Sequence, residues 1–259
     1  AVKIQTILPN EITLNCSDPN FIIKNRQSKW YGKKYFDIYS EAAMPLEWHK
    51  EVFKRAKEND IIAFSSPFDE KSVDFLDKLK VPCFKIASFE NEHYPLISKI
   101  IQTNKPLILS LGMLDYQGIN KTVTFLKKKK AKSFALLKCC SVYPASPKKL
   151  NLIFINDLKK KFKCEIGFSD HTNSIYSSIA AVSQGATIIE KHFVYDKKKI
   201  SGPDINASID EKQLKDLINV VDRTCNQLKG NKTRLKEEQV TRNFAFSSVI
   251  SLKEIKINK

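Results

Sequence analysis

Residues 61–90 read IIAFSSPFDEKSVDFLDKLKVPCFKIASFE, and their pattern changes twice. Ile61–Ser65 is a short apolar run, long enough for a strand and apolar on both faces. Asp69 then precedes an amphipathic stretch, Glu70–Leu79, as an aspartate does when it caps the first free N–H groups of a helix. Cys83–Ala87 is a second apolar run. Strand, helix, strand with both strand faces apolar describes parallel strands covered on each side.

The same unit recurs in both directions. Val2–Ile7, Pro106–Leu111, Phe134–Cys139, Glu165–Phe168 and Ala186–Glu190 are further strand-length runs. The helical patterns between and after them are Leu46–Asn59, with Pro45 suited to a first turn, Tyr94–Gln102, Asn120–Lys128, Ile155–Phe162, Ser174–Ser183 and Glu211–Leu228. Repeated βα units make a parallel sheet, open or closed. No GxGxxG and no P-loop follows any strand, which argues against a nucleotide-binding open sheet. Seven units, beginning at Ala1 with a run that already reads as a buried strand, predict an α/β fold of the (β/α)8 TIM-barrel type lacking its first strand. The barrel is expected over residues 1–230. Residues 231–259 read as a linker and remnant, and residues 10–40 as an insertion able to shape a pocket.

Composition narrows the class. At 42% hydrophobic and 28% charged, the 259-residue chain suits a globular protein, and no apolar run approaches the ~18 residues of a membrane span. No charged leader with an apolar segment opens the sequence, so no secretory signal is expected. The six cysteines form no CxxC pair, which favours a reducing, cytoplasmic setting. The net charge of +16 raises nucleic acid as a partner. However, Lys127–Lys130 and Lys159–Lys161 lie at predicted helix ends, and no aromatic-studded basic stretch accompanies them. No nucleic-acid partner is expected, and the basic field would instead draw in anionic substrates.

The strand ends carry the chemistry. Lys3 and Gln5, Ser65 and Ser66, Lys85, Ser88 and Glu90, Ser110, Lys138, Ser141 and Tyr143, Ser169, Asp170 and His171, and Glu190, Lys191 and His192 lie on or just after successive strands. In a barrel these ends converge on one face. Of the four histidines, His171 and His192 fall at neighbouring strand ends, where two imidazoles could share a divalent metal. Alternatively, each is simply hydrogen-bonded locally. His49 reads as a surface helix residue. Lys3 and Lys85 interrupt apolar runs, and a buried ammonium needs a partner. The partner is either a bound anion, with Ser66, Ser88 and Ser169 completing its cradle, or a salt bridge to Glu90 or Asp170.

These residues fall into motifs. Val2-Lys3-Ile4-Gln5, Phe64-Ser65-Ser66-Pro67-Phe68, Lys85-Ile86-Ala87-Ser88-Phe89-Glu90, Gly167-Phe168-Ser169-Asp170-His171-Thr172, Ile189-Glu190-Lys191-His192-Phe193 and Gly202-Pro203-Asp204 together resemble the sialic acid synthase family, in order and across roughly residues 1–228. Within it, Phe89 and the insertion with Trp30, Gly32 and Tyr39 look like the branch that makes pseudaminic acid. The resemblance implies a cytoplasmic transferase that condenses phosphoenolpyruvate with an amino sugar, using Mn2+ or Mg2+, as a homodimer. It implies His171 and His192 as metal ligands and Glu90, Glu190 and Asp204 as catalytic groups facing the sugar. It assigns substrate binding to Lys3, Gln5, Ser66, Lys85, Ser88, Ser110, Ser141, Tyr143, Ser169 and Asp170. N-acetylneuraminate or legionaminate synthesis is the alternative within the family, and a truncated, non-catalytic barrel that only binds ligand is the alternative outside it.

Four departures accompany the resemblance. The family's "AEIG-x-N-H" strand, which carries an active-site Glu, is absent. Its "STGM" reads Ser110-Leu111-Gly112-Met113, and its "F-A-R-S" reads Phe244-Ala245-Phe246-Ser247. The C-terminal antifreeze-like domain is nearly all missing. The chain is therefore expected to be a fragment, and catalytically incomplete by itself.

Overall fold

The structure is a computed structural model describing residues 1–200, 202, 204–230, 233 and 235–257. Pro203 of the Gly202-Pro203-Asp204 motif lies outside the described residues, as do Asn231, Lys232, Arg234, Asn258 and Lys259 of the expected linker.

Among the described residues, seven parallel strands alternate with helices. β1 (Val2–Thr6) is followed by α1 (Pro9–Ile12), α2 (Tyr35–Ala42) and α3 (Leu46–Glu58). Then come β2 (Ala63–Pro67), α4 (Glu70–Lys78), β3 (Phe84–Ile86), α5 (Tyr94–Gln102), β4 (Leu107–Ser110) and α6 (Tyr116–Lys128). The series ends with β5 (Phe134–Cys139), α7 (Phe154–Phe162), β6 (Glu165–Asp170), α8 (Tyr176–Ser183), β7 (Ile189–Lys191), α9 (Glu211–Gln227) and α10 (Glu238–Ala245). Among the described residues the sheet order is β1-β2-β3-β4-β5-β6-β7, all pairs parallel.

The sheet is curled. β1 and β7 are its two edges, yet Lys3 Nζ on β1 lies 3.4 Å from Glu190 Oε1 on β7. Such a contact requires the first and last strands to face each other across the interior.

Helix starts follow local chemistry. Asp69 accepts the Ser72 N–H at 2.7 Å and opens α4. Asp115 accepts the Gly118 N–H at 2.7 Å, so α6 begins one turn before the expected Asn120. Pro45 is the N-cap of α3 rather than a residue of its first turn. The lysine runs do close α6 and α7. The core lies between sheet and helices. Leu76, Ile97, Leu126 and Leu158 pack from the helices onto Ile86, Leu109, Leu136 and Phe168, all essentially inaccessible. Each such side chain contributes roughly 1.5–3 kcal/mol. Leu111 belongs to this core, so the departure at that motif falls on a packing position.

His49 is a correction: it is buried. It shares a face of α3 with Phe53 and Ala56, and its ring meets Phe53 and Phe75 edge-on. Its Nε2 lies 2.8 Å from Thr6 Oγ1, which lies 2.7 Å from Ser65 Oγ. This polar chain ties α3 to β1 and β2. Beyond residue 230 the chain includes α10, a helix that the linker reading did not anticipate.

Candidate active site

At the C-terminal ends of the strands lies a cavity of about 550 Å3, within the size range of small-molecule sites. Its floor comes from the strands. β1 supplies Lys3 and Gln5, two residues apart and so on one face. β2 supplies Ser66, β3 Lys85, and the turn after it Ser88. Ser110, Tyr143, Ser169, His171, Glu190, His192 and Asp204 complete the floor and walls. Most of the residues singled out from sequence therefore meet around one space.

Glu190 is the electrostatic centre. Its two oxygens lie 3.4 Å from Lys3 Nζ and 3.4 Å from Lys85 Nζ. Burial alone would raise this carboxyl, but the two ammoniums outweigh it and hold the pKa at about 2. The buried Lys85 also donates to Ser110 Oγ at 2.7 Å and to the Ile86 carbonyl at 3.0 Å. Burial pushes Lys85 below its usual range, against the pull of Glu190. The salt-bridge partner of both lysines is thus Glu190, not the expected Glu90 or Asp170. Two ammoniums share one carboxylate, which leaves a net positive floor. Ser66 Oγ is buried there with no hydrogen-bond partner among the described residues.

The imidazoles stand to one side. The His171 and His192 ring centroids are 5.4 Å apart, and Tyr143 stacks on His171 at 4.1 Å. His171 Nδ1 lies 2.8 Å from the Cys140 carbonyl, which fixes a proton on Nδ1 and leaves Nε2 beside Ser169 Oγ at 3.4 Å. Burial pushes His192 down to about 4, so it is neutral at pH 7. For His171, burial is outweighed by its contact with Cys139, which raises its pKa. A cation at Nε2 would compete with a proton there. Among the described residues no group of three or more His, Cys, Asp or Glu side chains is arranged around a metal. The donor set that fits one is two imidazoles, one oriented by a carbonyl, with Asp204 Oδ2 3.7 Å from His192 Nδ1.

Three expected residues stand off the cavity wall. Asp170 follows Ser169 on β6, so strand alternation turns it to the opposite face. There it accepts from the Thr172 N–H at 2.8 Å and Ser178 Oγ at 2.7 Å, and pairs with Lys191 at 3.2 Å. Glu90 is held by His93 Nδ1 at 3.2 Å. Ser141 Oγ is buried and unpartnered behind Gly112, where a Cβ would meet it at 2.1 Å. Conversely, the sequence assigned no site role to Ile23, Ile38, Phe68 or Ala87, which line the cavity. It also missed Cys139, whose Sγ lies 3.3 Å from Ser88 Oγ and 3.7 Å from His171 Nδ1.

Curled parallel strands whose C-terminal ends carry a cationic, serine-lined cavity are an architecture of α/β enzymes, whose active sites form at that face. The chain belongs to the NeuB family, whose model matches residues 1–234. It is 36% identical over 257 residues to the pseudaminic acid synthase of Campylobacter jejuni, covering 99% of this chain and 74% of that protein. It is 40% identical over 223 residues to the N,N'-diacetyllegionaminic acid synthase of the same species, covering 82% and 64%. The crystal structure of N-acetylneuraminic acid synthetase from Leptospira borgpetersenii superposes with a TM-score of 0.79 at 28% identity, covering 94% of this chain and 81% of that one. No helix among the described residues is long and apolar enough to cross a membrane.

Proposed function

We propose that the chain carries the active site of a pseudaminic acid synthase. In this reading phosphoenolpyruvate condenses with 2,4-diacetamido-2,4,6-trideoxy-altropyranose to give the nonulosonic acid and phosphate. The observation that carries it is the Lys3–Glu190–Lys85 cluster with the unpartnered Ser66 hydroxyl beside it. A small dianion placed there satisfies the surplus positive charge and that hydroxyl together. The 36% identity to pseudaminic acid synthase over 99% of this chain supports this choice of sugar.

Lys3, Lys85, Ser66, Ser88, Ser110 and Ser169 hold the phosphate and carboxylate. His171 and His192 would hold Mn2+ or Mg2+, which when bound supplies Lewis-acid polarisation of the sugar aldehyde. Carbon 3 of phosphoenolpyruvate adds to the aldehyde carbon, water adds at carbon 2, and phosphate leaves with its bridging oxygen. Glu190, ionised throughout, keeps both ammoniums directed at the anion. Asp204, beside His192, faces the sugar. Glu90 and Tyr39 stand at the rim, where burial first and then the Glu90 charge raise the Tyr39 phenol. The scheme extends to a (β/α)8 barrel in which β1 and β7 flank the remaining strand, and to a cytoplasmic homodimer.

The test is incubation with phosphoenolpyruvate labelled at its bridging oxygen, the diacetamido sugar and Mn2+. Labelled phosphate and a nonulosonic acid are the expected products. Turnover of N-acetylmannosamine or of the legionaminate precursor instead would transfer the assignment to those sugars, a reading favoured by the 40% identity to the legionaminic acid synthase.

A further inference from the structure

The cavity has two unlike halves. Beyond the charged floor, the insertion lines the cavity with Ile23, Trp30, Ile38 and Tyr39 beside Lys29 and Tyr35, and Phe68 and Phe89 from the strand ends join them as its roof. This roof is a built element. Ile22 and Lys34 form an antiparallel bridge, the Ile23 N–H donates to the Lys33 carbonyl at 3.0 Å, and the Gly32 N–H donates to the Ile23 carbonyl at 2.9 Å. Gly32 turns the chain at φ +77°, where a side chain would be strained. Ile38 and Tyr39 ride on α2, so their positions are fixed by a helix.

We infer that Ile23 and Ile38 are specificity-determining residues that read the deoxy end of the sugar. The inference rests on the proposed reaction. With the anion and aldehyde on the floor, the far end of the sugar meets the roof. A methyl group there is buried against apolar carbon. A hydroxyl in its place would lose its water, and neither isoleucine can hydrogen-bond it. Apolar pockets reject an added hydroxyl by only about 10- to 100-fold, which sets the size of the expected preference.

The experiment compares the 2,4-diacetamido-2,4,6-trideoxy sugar with its 6-hydroxy counterpart, by kcat/KM at saturating phosphoenolpyruvate and by calorimetric binding of each sugar. The expected result is a preference of about 10- to 100-fold for the deoxy sugar, falling to a few-fold in Ile38→Thr and Ile23→Thr, whose hydroxyls can serve the substrate hydroxyl. Both isoleucines are partly exposed, and circular dichroism of each variant checks that it folds. No preference in the unaltered chain, or an unchanged preference in whichever variants fold, overturns the inference while phosphate release with either sugar upholds the reaction. Absence of phosphate release and binding with both sugars overturns the two together.

Discussion

At the scale of single residues, His49 and Lys85 show what burial does to a charge. His49 sits among Phe53 and Phe75 with its Nε2 toward Thr6, and burial lowers its pKa below the ordinary imidazole value. The unfolded chain therefore takes up a proton at this position first as pH falls. The stability that neutral His49 contributes is complete above about pH 6.5 and is lost as pH falls below it. The slope from one such group cannot exceed about 1.4 kcal/mol per pH unit. Urea denaturation at pH 7.5 and 5.5 should show this loss in the native chain and a smaller one in His49→Asn. Burial lowers Lys85 as well, against Glu190 at 3.4 Å, and under the proposed function Lys85 faces the anion. Lys85→Met should raise the KM for phosphoenolpyruvate by about 10- to 150-fold, the equivalent of a charged hydrogen bond worth ~1.5–3 kcal/mol. Titration of phosphoenolpyruvate against initial rate checks it.

At the scale of elements, close approach constrains β6. A Cβ on Gly167 would meet the Ile188 carbonyl at 2.4 Å and Leu137 Cδ2 at 2.6 Å, because the Phe168 N–H reaches that carbonyl at 2.8 Å. Gly167→Ala should cost ~1–3 kcal/mol, read as a lower urea midpoint at unchanged slope. The strand itself was legible in the sequence because a fully covered parallel strand is apolar on both faces, and so were the helices with an aspartate cap. The start of α6 was not, since Tyr116 to Ile119 carry no apolar period and only the Asp115 cap marks them. His49 was misread because its neighbours Glu47, Trp48 and Lys50 are polar or exposed, although its spacing to Phe53 and Ala56 held the inward face. Asp170 was placed in the site because its position along the strand was right, while its direction depends on the pleat. Of the roof, the resemblance singled out Trp30, Tyr39 and Phe89, and the rest was visible only as an insertion. Ile23 lies in irregular chain, which has no period, and Ile38 lies on the eight-residue α2, too short for its period to mark an inward face.

At the scale of the whole molecule, the curl of the sheet makes one site from distant residues. Lys3 and Glu190 are brought into contact from opposite ends of the sheet, and His171 and His192 stand at the ends of neighbouring strands with ring centroids 5.4 Å apart. Adjacent strands run about 4.8 Å apart, so two inward imidazoles at their ends can reach one ion at ~2.0–2.2 Å each. Under the proposed function these two nitrogens would hold the metal, and substrate and water would complete its shell. His192 is neutral well below pH 7 and so needs no deprotonation to bind. His171→Ala and His192→Ala should each lower metal-dependent turnover by on the order of 10^3, the value of several kcal/mol of charge stabilisation. Both rings lie at the open ends of the strands, away from the Leu76–Phe168 core, so the urea midpoint of each variant should stay near that of the native chain. Calorimetry with Mn2+ alone should show one site in the native chain and a strongly weakened one in either variant. Native-like Mn2+ binding in both variants would remove the histidine pair from the metal site and leave His171 as a ring held by Cys140, Ser169 and Tyr143.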